Sequence, residues 1–178
     1  MMMVIKSVDS IFKKNNVFYL RVKMMKNTEF YYKNVFAPKP NKPNHIGVAV
    51  IIQYENKILL EHRVDSDRWA IIGGGLNVNE DLVSCAIREV FEETGLKINK
   101  NQLQYFNIYD DPSRIAHYPD GNVLRVITVV YHIKLFDFPI LKTSLESKEL
   151  KFFSKDEIIR IKMAETHIPI IQEYYILE

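Results

Sequence analysis

The sequence lacks several things that would each have fixed a class. Its 178 residues hold one cysteine, Cys85, so no disulfide framework can form. The longest apolar run, residues 47–52, is far too short to span a bilayer. Net charge is only +2, from 24 basic and 22 acidic residues of mixed order, and no basic stripe marks a nucleic-acid footprint. The N-terminus carries no signal-peptide pattern, so a cytoplasmic setting is expected, with no membrane partner. No internal repeat or low-complexity tract stands out. What is plentiful is apolar material, at 47%, enough for one domain with a sizeable core.

The first segment differs from the rest. Phe18, Leu20, Val22 and Met24 alternate with Tyr19, Arg21, Lys23 and Met25, a period-two strand. Asn27-Thr28 supplies a turn, and residues 30–36 return as a second strand, giving a hairpin. The run Pro38-Lys39-Pro40-Asn41-Lys42-Pro43 then reads as an extended linker. The expected division is an N-terminal extension, 1–43, and a main domain, 44–178. Within the latter the pattern gives strands at 45–53, 57–63, 69–72, 103–110, 123–135 and 150–153. Helices are expected near 155–162 and 168–176. Ser154-x-x-Glu157 forms a capping box for the first, and Pro169 suits the first turn of the second. Mixed strands with helices on both faces make an α/β sandwich.

The most informative stretch is GGLNVNEDLVSCAIREVFEETGL, residues 74–96. Asn77 or Asn79 is a good N-cap, Glu80 and Asp81 place negative charge in the first turn, and Gly95 ends the helix. Val83, Ala86, Ile87 and Val90 recur as one buried stripe. Glu89, Glu92 and Glu93 share another face. At ~6 Å and an effective dielectric of ~20, each carboxylate pair costs on the order of 3 kcal/mol. Within the helix only Arg88 opposes that repulsion. A hard divalent cation would relieve it, and an all-oxygen donor set favours Mg²⁺ or Mn²⁺ over zinc. The bland alternative, a solvated acidic face, requires neither the flanking glycines nor Arg88. Gly73, Gly74 and Gly75 read either as a flexible turn or as a place where backbone closely approaches a metal or phosphate.

These residues match Gly-x5-Glu-x7-Arg-Glu-U-x-Glu-Glu-x-Gly-U, with U a bulky apolar residue, so the chain resembles the Nudix (MutT-like) hydrolases. The likeness extends to residues 56–63, Trp69, the segment Tyr118-Pro-Asp-Gly-Asn122, and residues 146–154. It covers about residues 45–155 and leaves the N-terminal hairpin outside. One departure is Ile72, where the family usually has proline before the glycines. The resemblance implies a Nudix fold, a mixed sheet between helices. It also implies hydrolysis of a nucleoside diphosphate linked to a further moiety, by water attack at phosphorus. In that family, glutamates matching Glu89, Glu92 and Glu93 hold one to three Mg²⁺ with a backbone carbonyl near Gly73. The glutamate that deprotonates the water varies among members. Glu89 and the loop residue Glu146 are the two candidates here.

On the substrate side, Arg63 ends a strand from which family analogues contact phosphates, although a surface arginine would look the same. Gly74 and Gly75 offer backbone to a phosphate. Arg114 and Tyr118 lie in a loop suited to gripping base or ribose, while turn chemistry alone accounts for its Asp, Pro and Ser. His117 and His132 read as core or surface histidines, and Cys85 has no evident activating partner. Three functions compete: a Mg²⁺-dependent pyrophosphohydrolase of a small nucleotide (ADP-ribose, a nucleotide-sugar or an NTP), an RNA 5′-end pyrophosphohydrolase, and a non-catalytic nucleotide sensor. Weak net charge argues against RNA, and the complete motif argues against the sensor. The hairpin's apolar face needs cover, on its own domain or on a second subunit; family members that split ADP-ribose often build a two-fold dimer through such an N-terminal sheet, so the resemblance implies a homodimer.

Overall fold

The computed structural model describes residues 8–14, 17–22 and 27–177, with the side chains of 8–22 outside that description. The strand expected at 18–25 is described as far as residue 22. Strand β2 (Val17–Val22) pairs antiparallel with a preceding strand, β1 (Val8–Lys14), and not with residues 30–36. Met24 and Met25 lie outside the described residues. The anticipated return strand is instead a three-residue piece, β3 (Glu29–Tyr31), which joins the main sheet. Local alternation could not reveal this, because β3 takes its partner from far along the chain.

The main sheet is built around one parallel pair. Strand β4 (His45–Tyr54) runs beside β9 (Val123–Leu135), in register from His45 with Val126 to Tyr54 with Leu135. A central parallel strand has both faces covered, which is why β4 carries the chain's longest apolar run. Its even residues Val48, Val50 and Ile52 pack into one core, beneath helix α1 (Leu82–Thr94). Its odd residues Ala49 and Ile51 pack into a second core with Ile170, Ile171 and Tyr174 of helix α3 (Ile168–Leu177). The result is a mixed sheet between helices, the α/β/α arrangement expected from the pattern.

Strands β4 and β5 (Lys57–Arg63) form a hairpin across Glu55, whose φ of 52° makes the turn. Only Gln53↔Ile58 and Tyr54↔Lys57 pair before the two strands diverge. Strand β6 (Trp69–Ile71) and the residues after it fill the wedge. β6 pairs with β5, while Ile72 and Gly75 bridge to Val50 and Gly47 of β4. The glycine segment is therefore stitched between strands and is no flexible turn. Strand β10 (Ser147–Ser154) covers the outer edge of β5.

Beyond β9, strand β7 (Gln104–Tyr109) pairs with its middle and β8 (Ile115–His117) with its start, and β3 adds to β8. The short β8 escaped sequence reading. The helix expected at 155–162 is one turn, α2 (Lys155–Ile158), in which Ser154 N–H donates to the Glu157 carboxylate at 2.8 Å as the capping box required. A 3₁₀ turn, Glu165–His167, precedes α3. The proline-rich segment is tied down through Asn41, whose side chain and backbone bond Gly121 and Val123. No helix among the described residues is long and apolar enough to cross a membrane.

Candidate active site

Helix α1 begins at least two residues later than the sequence suggested. Asp81 is the N-cap, accepting from Ser84 N–H at 2.7 Å, while Asn77 and Asn79 lie outside the helix. Glu80 also precedes it, accepting from Asn77 N–H and from Arg88. Gly95 ends the helix at φ 74°, its N–H bonded to Phe91 O, as expected. Of the anticipated stripe, Ala86 and Val90 are core and Val83 packs at its margin, but Ile87 belongs to neither core; Cys85 takes the buried position. Burial pushes the Cys85 thiol up to about 12, so it is no nucleophile at neutral pH.

The three helix glutamates do not share one environment. Glu89 and Glu93 are buried, whereas the Glu92 side chain is 56% exposed. Glu93 points under the glycine segment and accepts from Gly73 N–H at 2.9 Å. Glu89 lies against Gly74, where an added Cβ would meet the Glu89 carboxylate at 2.5 Å. At Gly73, φ is +153° and a Cβ would sit 2.2 Å from Val48 O, so only glycine fits. Burial, followed by the charges of Glu61 and Glu89, raises the Glu93 pKa. Burial also raises that of Glu89, with Glu92 and Glu146 adding to it and Arg88 opposing.

Arg88 neutralises part of this cluster. It grips Glu80 through Nε at 2.9 Å and Nη2 at 2.6 Å, and reaches Glu89 at 2.6 Å and Glu92 at 3.0 Å through Nη1. Nη2 also donates to Gly75 O at 3.0 Å, which fixes the last glycine. Among the described residues no three carboxylates are already arranged as a cation cage. The donor set nevertheless suits a hard cation. Glu89 and Glu93 are buried acids whose charged forms lack full compensation, and carboxylate oxygens are the ligands a hard cation prefers. A bound cation would compete with Arg88 for Glu89 and Glu92.

One buried acid was not singled out from sequence. Glu61 is 0% exposed on β5, bonded to Arg63 Nη1 at 3.0 Å and Ser147 Oγ at 2.7 Å, and it raises Glu93. An acid inside the run Ile58-Leu59-Leu60-Glu61 was the available signal. Arg63 is committed to this network. Nε and Nη2 hold both oxygens of Asp65 at 2.9 and 3.0 Å, while Nη1 holds Glu61.

A cleft of about 90 Å³ opens beside the glycines. Arg63, Gly73, Gly74 and Tyr118 line it, as do Phe30, His45, Thr128 and His167, which the sequence did not mark. Gly75 and Arg114 do not line it. Glu146 is exposed on the loop before β10, its carbonyl accepting from Val64 N–H, and its charge is felt at Glu89. Arg63, Gly73 and Gly74 line the cleft, Glu93, Glu89 and Arg88 contact the glycine segment, and the charge of Glu146 is felt at Glu89. Tyr118 stands on the cleft wall and Arg114 behind it.

The family model of the NUDIX domain matches residues 43–174. The chain is 32% identical over 135 residues to an ADP-ribose pyrophosphatase of Methanocaldococcus jannaschii, covering 73% of each chain. A shorter stretch of 62 residues is 34% identical to an RNA pyrophosphohydrolase of Pelagibacter ubique, covering 33% of this chain and 39% of that one. Among solved structures, a bifunctional NMN adenylyltransferase/ADP ribose pyrophosphatase of Francisella tularensis, complexed with AMP and a Mn ion, superposes with TM-score 0.62. That pair is 26% identical, over 75% of this chain and 42% of the other, so the chain spans about two-fifths of that bifunctional protein.

Proposed function

This chain belongs to the Nudix family and is a hydrolase of phosphoric anhydride bonds, and from that premise we propose that its substrate is a small nucleoside diphosphate derivative of the ADP-ribose kind. The observation that carries this reading is the cleft. One end of it abuts Gly73 and Gly74 with Glu93 and Glu89 behind them, and its walls present Phe30 and Tyr118 to a base or sugar. The relative named an ADP-ribose pyrophosphatase supports the choice among nucleotides. The RNA 5′-end reading is weaker, because that likeness covers only a third of the chain and net charge is just +2.

The residues divide the work as follows. Glu89, Glu92 and Glu93, with the Gly73 carbonyl, would hold Mg²⁺, or Mn²⁺ in its place, which would supply charge neutralisation to the diphosphate under attack by water. Gly74 and Gly75 keep the backbone low, so that the diphosphate approaches the buried carboxylates. Arg63 braces Glu61 and, through it, the underside of Glu93, and its exposed edge lines the phosphate end of the cleft. Arg88 sets the Glu89 carboxylate while Glu146 takes the proton of the attacking water. The assignment of the base to Glu146 is supported by its exposed position near Glu89, which Arg88 already holds at 2.6 Å.

Residues 44–178 form the catalytic domain in this reading, with 1–43 an extension that contributes Phe30 to the cleft. A homodimer through the N-terminal segment 17–36 and a cytoplasmic setting are further parts of the proposal. Light scattering of the full chain at tens of micromolar tests the dimer; a monomer there removes it. For the activity, purified protein with Mg²⁺ is given ADP-ribose, nucleotide-sugars, NTPs and 5′-triphosphate RNA, and products are identified. AMP plus a sugar phosphate from ADP-ribose is the expected result. Turnover of RNA alone would overturn the assignment.

A further inference from the structure

Cross-strand register fixes what stands on the far wall of the cleft. Phe30 faces Ala116, and the Arg114 carbonyl accepts from Val126 N–H at 2.8 Å. Alternation therefore puts Phe30, Arg114, Ala116, Val126 and Thr128 on one face of the sheet. Four of these line the cleft. The fifth, Arg114, is 0% exposed just behind them.

Its guanidinium is poorly matched. Nη2 donates to Thr128 Oγ1 at 2.8 Å, and Cζ lies 5.4 Å from the centre of the Tyr109 ring. Nε and Nη1 are buried without a partner among the described residues. None of the ion pairs among the described residues includes Arg114. Asp110 and Asp111 are felt only at a distance. Arg63 and Arg88, by contrast, have each nitrogen bonded to an oxygen. A buried cation with idle donors is costly unless something supplies the missing oxygens. Burial lowers its pKa only to about 10, so it remains charged at neutral pH.

We propose that Arg114 is a phosphate-binding residue of the cleft, whose idle donors take phosphate oxygens of the bound nucleotide as the side chain comes forward past Thr128. The proposal rests on reading the cleft as a nucleotide site and deepens it by naming the group held opposite the glutamates. A guanidinium suits this task because its planar donors match phosphate oxygens. The phosphate belongs either to the nucleoside side or to the sugar side of the substrate, and AMP and ribose 5-phosphate separate the two.

Binding is measured by calorimetry and thermal shift without divalent cation, so that no hydrolysis is involved. The probes are inorganic phosphate, AMP and ribose 5-phosphate. Arg114→Met should weaken AMP or ribose 5-phosphate binding about tenfold or more, and Arg114→Lys should lose less, keeping charge without the planar fork. Ligand-free Arg114→Met should melt no lower than wild type, because it removes unmatched buried donors; a purely structural arginine would give a lower melting temperature. If Arg114→Met does not fold, Arg114→Lys carries the test. Equal affinity of wild type and variant for all three probes overturns the proposal, as does a wild type that binds none at millimolar concentration. Phosphate binding intact in Arg114→Met alongside normal hydrolysis refutes Arg114 alone. Binding lost in the variant, with no hydrolysis by wild type, refutes the hydrolase substrate and leaves Arg114 standing.

Discussion

Arg88 and Arg114 meet opposite surroundings in one small protein. The Arg88 side chain is 26% exposed and yet bonds Glu80, Glu89, Glu92 and the Gly75 carbonyl. Arg114 is fully buried and bonds only a threonine hydroxyl by its side chain. On the helix α1 side, Arg88 is fully matched before any ligand arrives, so a ligand for Glu89 or Glu92 must displace it. On the cleft side, positive charge is held in reserve. Bulk water can match Arg88 cheaply, whereas Arg114 is 0% exposed. Internal balance therefore marks where the fold protects its own carboxylates, and imbalance marks where it is shaped for something else.

The comparison breaks first at the carboxylates. Glu146→Gln and Glu89→Gln are compared in kcat across pH with metal saturating. The base variant should fall by roughly 10²–10⁴-fold at every pH. A fall of less than about tenfold for Glu146→Gln would hand the role to Glu89. Glu93→Gln comes next, costing roughly 2–4 kcal/mol of transition-state stabilisation while leaving the fold intact, since burial already disfavours its charge. Near wild-type turnover at saturating Mg²⁺ would remove Glu93 from the site.

The third test strikes the seam between the two sides. Gly73→Ala forces a Cβ to within 2.2 Å of Val48 O at φ +153°. It should cost roughly 2–4 kcal/mol in denaturant unfolding. Gly74→Ala meets only the movable end of Glu89, so its penalty should appear in kcat and not in stability. Equal stability loss at both positions would mean the clash geometry is wrong.

A further test, confined to acid pH, is at His167, which lines the cleft and accepts from Ile71 N–H at 3.0 Å through Nδ1. Burial, then the positive charges of Arg114 and Arg63, lowers its pKa to about 3. Below its ordinary value of about 6.5 the unfolded chain takes up a proton that the fold refuses. Stability present above that pH is therefore lost as pH falls toward 3, by at most about 1.4 kcal/mol per pH unit. His167→Gln should flatten that acid limb; an unchanged limb would show that the ring is not held neutral.

Much of this architecture was legible because its signals are local. The α1 spacing, the Gly95 stop, the Glu55-Asn56 turn and the apolar run of β4 each follow from neighbours in sequence. What escaped depends on distant partners. β3 is three residues long and is a strand only because β8 lies beside it. Arg63 looked like a free phosphate ligand, since nothing in sequence shows that Asp65 and Glu61 both turn toward it. Glu92 and Glu93 differ by one position yet one faces solvent and the other the glycines, a distinction that the i, i+3, i+4 pattern alone does not draw. Asp81 displaced the asparagines as N-cap because Glu80 is held back by Arg88.

The parallel pairing of β4 with β9 has a kinetic meaning. Its two strands register over ten residue pairs, and β5, β6, the glycines and α1 all lie in the chain between them. Closing so long an intervening segment is entropically slow, and no hairpin can shortcut a parallel pair. The β4–β5 hairpin and α1 can form early from local contacts, but the wall bearing Thr128 and Arg114 arrives only when β9 docks. Refolding should thus recover helix signal before it recovers nucleotide binding, and the competent site should be among the last features of the fold to assemble.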